Sequence, residues 1–199
     1  MKLPQGFVGA ATAAGLKSTG AKDLTLIVNQ GPKNWASAVF TTNQVIAAPV
    51  IWSKEVIKGS AVRAVVLNSG GANACTGPQG FQDTHKSAEH VASLLNHSSS
   101  EIFVCSTGMI GEFLPMDKVI NGIDVIAANL SNEALLDCAE AIMTTDSIPK
   151  ISTVQASGVQ MSGIAKGAGM LAPALATMLC VIMTDAVLPE KADSIFKDI

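Results

Sequence analysis

Short β-like runs, the last two of which end in polar, glycine-containing turns, constrain the fold of this chain more than any other sequence feature. Apolar, β-branched runs of this length are typical of strands, whereas apolar residues three or four positions apart are typical of helices. The β-like runs lie at 24–28, 38–41, 62–67 and 102–105, and the helical patterns follow at 84–96, 116–130 and 131–144. The sequence therefore predicts an α/β or α+β fold.

The helix starts and the last apolar run carry further predictions. Polar side chains that accept hydrogen bonds from free N–H groups favour Asp83 or Thr84 as the cap of the first helix and Ser131 as the cap of the third. After Pro149 the pattern is Gly-rich and extended, and residues 178–183 are apolar enough for a buried strand. Such a strand needs neighbours on both sides. Because the sequence ends soon afterwards, we expect it to stop partway through a larger fold.

The composition excludes several classes of protein. Apolar residues make up 48% of the 199 residues and charged residues 15%, so disorder of the whole chain is excluded. A net charge of -3 gives no indication of a nucleic-acid partner. We find neither the ~18 uninterrupted apolar residues of a membrane helix nor the apolar core of a signal peptide. A cytoplasmic protein is the expectation.

The cysteines and histidines do not form a recognisable site. The four cysteines lack metal-site spacing, so we expect reduced and mostly buried thiols at Cys75, Cys105, Cys138 and Cys180. The histidines lie on or just after one predicted helix, so we expect surface positions for His85, His90 and His97. No Ser/His/Asp set and no paired carboxylates of a metal cage or glycosidase emerge.

Two glycine-rich segments that follow predicted strands are candidate site elements. NSGGANACTG at 68–77 can expose backbone N–H groups to a ligand, although its composition alone favours a tight turn that needs positive φ at Gly70 or Gly71. In CSTGMIG at 105–111, the Thr107 hydroxyl and the Gly108 N–H can converge on one oxygen, as an oxyanion hole requires. Most such segments are ordinary turns. Neither segment matches a phosphate-binding loop.

A third candidate is AKGAGMLAPALATMLC at 165–180. Lys166 lies in a run of Gly and Ala, where burial of a charge without a partner is unfavourable. Thr177 is a single hydroxyl in an apolar stretch, where it can simply bond a neighbouring carbonyl. The pair is as compatible with a site as with an ordinary core.

With two further segments, AAPVIWS at 47–53 and MTTDSIPK at 143–150, these motifs make the chain resemble the glutamate N-acetyltransferases of arginine biosynthesis, also called ornithine acetyltransferases. The resemblance covers essentially the whole chain. It implies an N-terminal-nucleophile-like sandwich of the ornithine acetyltransferase type that is incomplete at the C-terminus.

The resemblance also implies self-processing. Cleavage between Ala176 and Thr177 would give an α segment, 1–176, and a β segment of which 177–199 is present. Thr177 would then be an N-terminal nucleophile. Its new α-amine, with an ordinary pKa of roughly 7.7–8.0, lies next to the hydroxyl and can act as its base.

The activity implied by the resemblance is transfer of an acetyl group from N-acetylornithine to glutamate through acetyl-Thr177. Thr107 and Gly108 match the oxyanion-hole pair of the family, and Thr144 and Lys166 match substrate-binding positions together with Thr177. A lysine suits the α-carboxylate that both substrates carry.

Two positions stay open. Thr145 is adjacent to Thr144 and competes with it for the substrate-binding role. At Gly71 many family members have Asn, so no binding role is assigned there.

The resemblance implies no metal and no bound cofactor, with acetyl-CoA left open as an additional substrate, and an assembly of two α and two β chains. Two alternatives stand beside this reading. One is a hydrolase with an N-terminal threonine, such as an aminopeptidase, and the other is an inactive fragment without the β half.

Overall fold

Two β-sheets form the framework of the computed structural model, which describes residues 1–169, 177–189 and 192–197. The first sheet has the order β1-β2-β3-β4, with β1 (Phe7–Thr12), β2 (Leu24–Asn29), β3 (Ala64–Gly71) and β4 (Ile102–Met109). Its first three strands are antiparallel, and β3 and β4 are parallel. The second sheet is antiparallel, with β5 (Lys150–Ala156), β6 (Val159–Lys166) and β7 (Leu179–Thr184) in that order.

Helices cover the first sheet. They are α1 (Ala48–Val56), α2 (Gly77–Leu95), α3 (Met116–Ala127) and α4 (Leu135–Ala141), followed late in the chain by α5 (Ala192–Lys197). Short 3-10 turns occur at Ile57–Gly59 and Ser99–Glu101. Among the described helices, none has the length and apolar character to cross a bilayer.

The two faces of the first sheet are both buried, because successive side chains of a strand point to opposite sides. On one face, Leu26 and Val66 pack with side chains of α2 and α3 such as Val91 and Ile123. On the other face, Ile27 and Leu67 join a second core that includes α4 and the inner side of the second sheet. Helix α4 therefore contacts both sheets, and it brings β6 close to the first sheet.

The predicted α/β class is confirmed, and so are the strands at 24–28, 62–67 and 102–105. The strand predicted at 38–41 is wrong, because that segment has no regular secondary structure. Strand propensity needs a partner strand and a buried face to take effect, and Val39 in this segment is 62% exposed.

The predicted caps of α2 are also wrong. The helix begins at Gly77, with Pro78 in its first turn, several residues before its apolar periodicity starts. Asp83 and Thr84 therefore lie inside the helix and are buried. There the Thr84 hydroxyl donates to the Gly80 carbonyl, and Asp83 accepts from Gln79.

Helix α3 is confirmed from its first residue, whereas α4 is shorter than predicted and Ser131 does not cap it. The Ser131 N–H donates to the Gly9 carbonyl at 2.8 Å in an isolated bridge, and the chain turns before α4 begins at Leu135. Ser131 therefore pairs with β1 instead of capping the helix.

The late strand forms as β7, but it is not buried as predicted. Cys180 and Ile182 are exposed while Met183 is buried, since the strand packs on one face and pairs with β6 among the described residues. The expectation of mostly buried thiols is likewise wrong for Cys75 and Cys180, which are exposed, although all four thiols are free. The histidines are partly exposed, as predicted.

Candidate active site

Two glycines bring the first two motifs together at one end of the parallel pair β3 and β4. Gly70 and Gly108 face each other in the register, with φ of 108° and 130°. A methyl group at Gly108 would lie 2.4 Å from the carbonyl carbon of Gly70. Both positions therefore require glycine, for their conformation and for the close approach of the two backbones.

Side-chain hydrogen bonds fix the same strand ends. The Ser106 hydroxyl donates to Asn68 Oδ1 at 2.6 Å, and Asn68 Nδ2 donates to the Gly71 carbonyl at 2.9 Å. A methyl group at Gly71 would lie 2.6 Å from a terminal carbon of Leu114. The absence of a side chain at Gly71 thus gives space to Leu114.

Lys166 links the second motif to the third. It lies at the end of β6 and is only 5% exposed, and its Nζ donates to Thr107 Oγ1 at 3.3 Å and to the Thr177 carbonyl at 3.2 Å. Thr107 is 2% exposed and Thr177 is half-buried, two residues before β7. The structure therefore brings together three residues that the sequence singled out, one from the segment at 105–111 and two from the segment at 165–180.

The Lys166 ammonium is a desolvated cation. Burial lowers its pKa, while the negative charge of Asp146 acts in the opposite direction and the positive charge of Lys150 adds to the lowering. In the described parts of the chain no carboxylate forms an ion pair with it. A buried cation in this state favours an anionic ligand.

Asp146 is a site residue that sequence reasoning missed. Its side chain is 1% exposed and accepts hydrogen bonds from Lys150 Nζ, from the Gly167 N–H at 2.8 Å and from the Thr144 N–H at 3.2 Å. Burial acts to raise the pKa of Asp146, but these three donors outweigh it and lower the pKa to about 2. The available signal was the Asp–Lys spacing of four residues inside MTTDSIPK.

Asp146 connects the segment that holds Thr144 to Gly167, the residue after Lys166, because its carboxylate accepts from the N–H groups of both. Thr144 and Thr145 are both exposed. A methyl group at Gly169 would lie 3.7 Å from the Thr145 hydroxyl oxygen, so both threonines lie beside the third motif. The assignment of Thr144 to substrate binding stays a prediction.

Lys17 is a second cation near this site that had no signal in the sequence. Its Nζ donates to the Lys22 carbonyl at 2.8 Å. Burial lowers the pKa of Lys17, and the positive charge of Lys166 lowers it further. The negative charges of Asp23 and Asp146 act in the opposite direction. Lys17 lies near the site because the loop before β2 packs against the end of β3.

Residues 170–176 lie outside the described residues, and they include Ala176. The predicted cleavage between Ala176 and Thr177, and with it the division into 1–176 and 177–199, therefore stays a prediction. Thr177 itself is described.

Comparison with known proteins gives matches along nearly the whole chain. A sequence model described as the ArgJ family matches residues 9–198. The arginine biosynthesis bifunctional protein ArgJ of Thermobifida fusca is 53% identical over 195 residues, which are 98% of this chain and 51% of that protein. Its counterpart in Streptomyces coelicolor is 55% identical over 188 residues, 94% of this chain and 49% of that protein. The chain thus spans about half the length of these curated relatives.

Solved structures show the same likeness. The ornithine acetyltransferase of Mycobacterium tuberculosis, solved in complex with ornithine, matches with a TM-score of 0.76 and 42% identity over 88% of this chain and 94% of that chain. The ArgJ bifunctional protein of Bacillus halodurans matches with a TM-score of 0.77 and 35% identity over 90% and 97%. These matches confirm a fold of the ornithine acetyltransferase type.

Proposed function

Because the chain belongs to the ArgJ family, we propose that it is part of an acetyltransferase that moves the acetyl group of N-acetylornithine to glutamate. The observation that carries this proposal is the buried Lys166, which bonds both Thr107 and the nucleophile candidate Thr177. The names of the relatives, which place them in arginine biosynthesis, support it. The likeness to a structure solved with ornithine supports the substrate class.

Self-cleavage is the first step of the proposed cycle. The Thr177 hydroxyl attacks the Ala176 carbonyl carbon, the peptide C–N bond breaks, and the acyl group moves to oxygen as an ester. Water then hydrolyses the ester, which releases Ala176 as a carboxylate and restores the Thr177 hydroxyl. The α-amine of Thr177, freed when the C–N bond broke, acts as base for this hydroxyl near neutral pH. The bond from Lys166 to the Thr177 carbonyl supports this step, because it restrains the nucleophile.

Acetyl transfer then uses the same hydroxyl. Thr177 attacks the acetyl carbon of N-acetylornithine, the α-amine of Thr177 passes the proton to the leaving nitrogen, and ornithine departs. Because Thr107 Oγ1 accepts from Lys166, its own proton is available to an oxyanion, alongside the Gly108 N–H. The amine of glutamate then attacks the acetyl carbon of acetyl-Thr177, the ester C–O bond breaks, and the α-amine of Thr177 passes the proton from the glutamate nitrogen to the Thr177 oxygen. N-acetylglutamate departs and the Thr177 hydroxyl is restored.

Substrate binding is assigned to the Lys166 ammonium, which forms no ion pair with any carboxylate in the described ranges 1–169, 177–189 and 192–197. Both amino acids carry an α-carboxylate, and the Lys166 ammonium can bind it with a charge-assisted hydrogen bond. Asp146 holds the Thr144 segment next to Lys166, which supports Thr144 as a second contact.

The remaining parts of the proposal follow the family. They are an α segment, 1–176, and a β segment that starts at Thr177, assembled as two of each, in the cytoplasm. The cycle uses no bound metal or cofactor, and acetyl-CoA is a second acyl donor to be assayed. The hydrolase alternative is not favoured, since the relatives are named for arginine biosynthesis.

The test measures ornithine release from N-acetylornithine by the protein produced from its native gene, with and without glutamate. We expect glutamate to increase the release, Thr177→Ala to abolish transfer, and Thr153→Ala, an exposed threonine of β5, to leave it unchanged. Release that is independent of glutamate would establish the hydrolase. Transfer by the Thr177→Ala variant would overturn the assignment of the nucleophile, and no release by the wild type would favour the inactive fragment.

A further inference from the structure

A buried carboxylate organises the loop that precedes β2. Asp23 is fully buried, and its Oδ1 accepts from the Ala14 N–H at 2.7 Å. Its Oδ2 accepts from the N–H groups of Gly15, Leu16 and Lys17 at 3.1, 2.6 and 2.9 Å. Four consecutive backbone donors therefore depend on one side chain.

The same residue is also attached to the strand that carries the first motif. The Asp23 carbonyl accepts from the Ser69 N–H at 2.8 Å, immediately before Gly70. The backbone of the loop packs closely against that glycine: a methyl group at Gly70 would lie 2.7 Å from the Leu16 carbonyl oxygen. Asp23 thus fixes both sides of the contact between Leu16 and Gly70.

This contact continues directly to Gly108. A methyl group there would lie 2.4 Å from the Gly70 carbonyl carbon and 2.7 Å from the Gly71 nitrogen. Three layers of backbone, at Leu16, Gly70 and Gly108, therefore pack without intervening side chains at the glycines. Because no rotamer change can absorb a shift between such layers, a movement of the loop is transmitted to the orientation of the Gly108 peptide.

We propose that Asp23 is a positioning residue for the Gly108 N–H and acts through Leu16 and Gly70. The proposal rests on the proposed function, in which this N–H stabilises the oxyanion. A misplacement of about 1 Å can lower a rate by ~100-fold, and loss of an oxyanion donor lowers kcat by ~100- to 1000-fold. We expect a loosened loop to lower kcat by ~10- to 100-fold.

The decisive variant is Asp23→Asn. An amide offers one acceptor oxygen, and its nitrogen would face N–H donors. One orientation leaves the Ala14 N–H without its acceptor, and the other does so for the three N–H groups of residues 15–17. A milder variant is Gly15→Ala, at an exposed position with φ of 86°, which strains the same loop but keeps the carboxylate.

Kinetics on the protein from its native gene separate positioning from stability. Per cleaved chain, we expect Asp23→Asn to lower kcat by ~10- to 100-fold with little change in KM, and Gly15→Ala to act in the same direction more weakly. The matched control is Leu135→Ala, which removes a fully buried side chain of α4 from the second core, whereas Leu16 packs against the first core. It should lower the melting temperature and leave kcat unchanged. An unchanged kcat in both loop variants, when thermal melts show that each variant is folded, would overturn the proposal.

Amide hydrogen exchange gives a second readout that needs no activity. In either loop variant we expect faster exchange at 105–111 as well as at 14–17, by about tenfold or more, while the β5–β6 hairpin at 151–164 keeps its protection. Unchanged exchange at 105–111 would overturn the proposal. If the wild type transfers no acetyl group, the proposed function fails, and the exchange data still decide whether Asp23 holds Gly108. If Asp23→Asn does not fold, Gly15→Ala carries both measurements.

Discussion

The buried ammonium of Lys166 gives the sharpest prediction, through the substitution Lys166→Met. Methionine keeps a long apolar side chain in a site that is 5% exposed, but it cannot donate to Thr107, to Thr177 or to a substrate carboxylate. A hydrogen bond to a charged group contributes roughly 1.5–3 kcal/mol. Since each 1.4 kcal/mol is tenfold, KM should rise by roughly 10- to 150-fold.

The factor should be the same for N-acetylornithine and for glutamate, because they share the α-carboxylate that Lys166 is proposed to bind. The folded protein should not lose stability, although its substrate binding weakens. The variant removes a desolvated charge that has no ion pair among the described residues, so its melting temperature should equal or exceed that of the wild type.

The pH dependence follows from the lowered pKa of Lys166, which burial shifts below the ordinary 10.5. The folded state disfavours the charged form of Lys166, which lowers the free energy of unfolding of the wild type at every pH below that lowered pKa. This destabilisation disappears as the pH rises through the lowered pKa towards 10.5. The stability advantage of the variant should therefore shrink as the pH rises. Over the same range the KM of the wild type should rise, because the neutral amine no longer attracts a carboxylate.

Steady-state kinetics with each substrate, normalised to cleaved chain by intact mass, and thermal melts measure these effects. The matched control is Lys58→Met, an exposed lysine whose ion pair with Glu55 lies on the surface, and it should change neither quantity. An unchanged KM in a folded, cleaved Lys166→Met protein would refute the role of Lys166 in carboxylate binding. A rise for one substrate alone would refute the shared α-carboxylate as the ligand.

Three further predictions follow from the geometry. Gly108→Ala should lower the free energy of unfolding by at least about 2 kcal/mol, through steric overlap and unfavourable φ, whereas Gly111→Ala, with φ of 86° and open space, should lower it by only ~1 kcal/mol; denaturant melts compare them. Asp146→Asn should remove the part of the acid unfolding that occurs between pH 3.8 and about 2, because Asp146 is stabilised as a carboxylate and loses that stabilisation as the pH falls; retention of that transition in a pH titration would contradict the account. A thiol reagent at neutral pH should label the exposed Cys75, and the exposed Cys180 more slowly because partial burial raises the pKa of its thiol, but not Cys105 or Cys138, whose pKa values burial raises to about 12 and about 11.

The parts of the site that the sequence predicts are those with an unusual local composition. A lysine in a run of Gly and Ala, and a threonine before a glycine at a strand end, are visible without a structure, and the fold brings Lys166 and Thr107 to 3.3 Å. The strands around them follow from short apolar runs, as β3 and β4 show.

The parts that the sequence does not predict depend on contacts between distant segments. Asp23 looks like an ordinary loop residue until its carboxylate is seen to accept four N–H groups. The pKa of Asp146 is lowered first by Lys150 and then by the N–H of Gly167, which is 21 residues away in the sequence. The start of α2 was placed too late because its first turn carries Gly and Pro instead of the apolar period. The segment at 38–41 has strand propensity but no partner strand among the described residues.

Intact mass combined with N-terminal sequencing of the protein from its native gene tests the central claim most directly. We predict two chains, the second of which begins Thr177-Met178-Leu179, and a single uncleaved chain for Thr177→Ala. A wild-type protein that stays in one piece, or one that is cut at another bond, would contradict the assignment of Thr177 as the nucleophile.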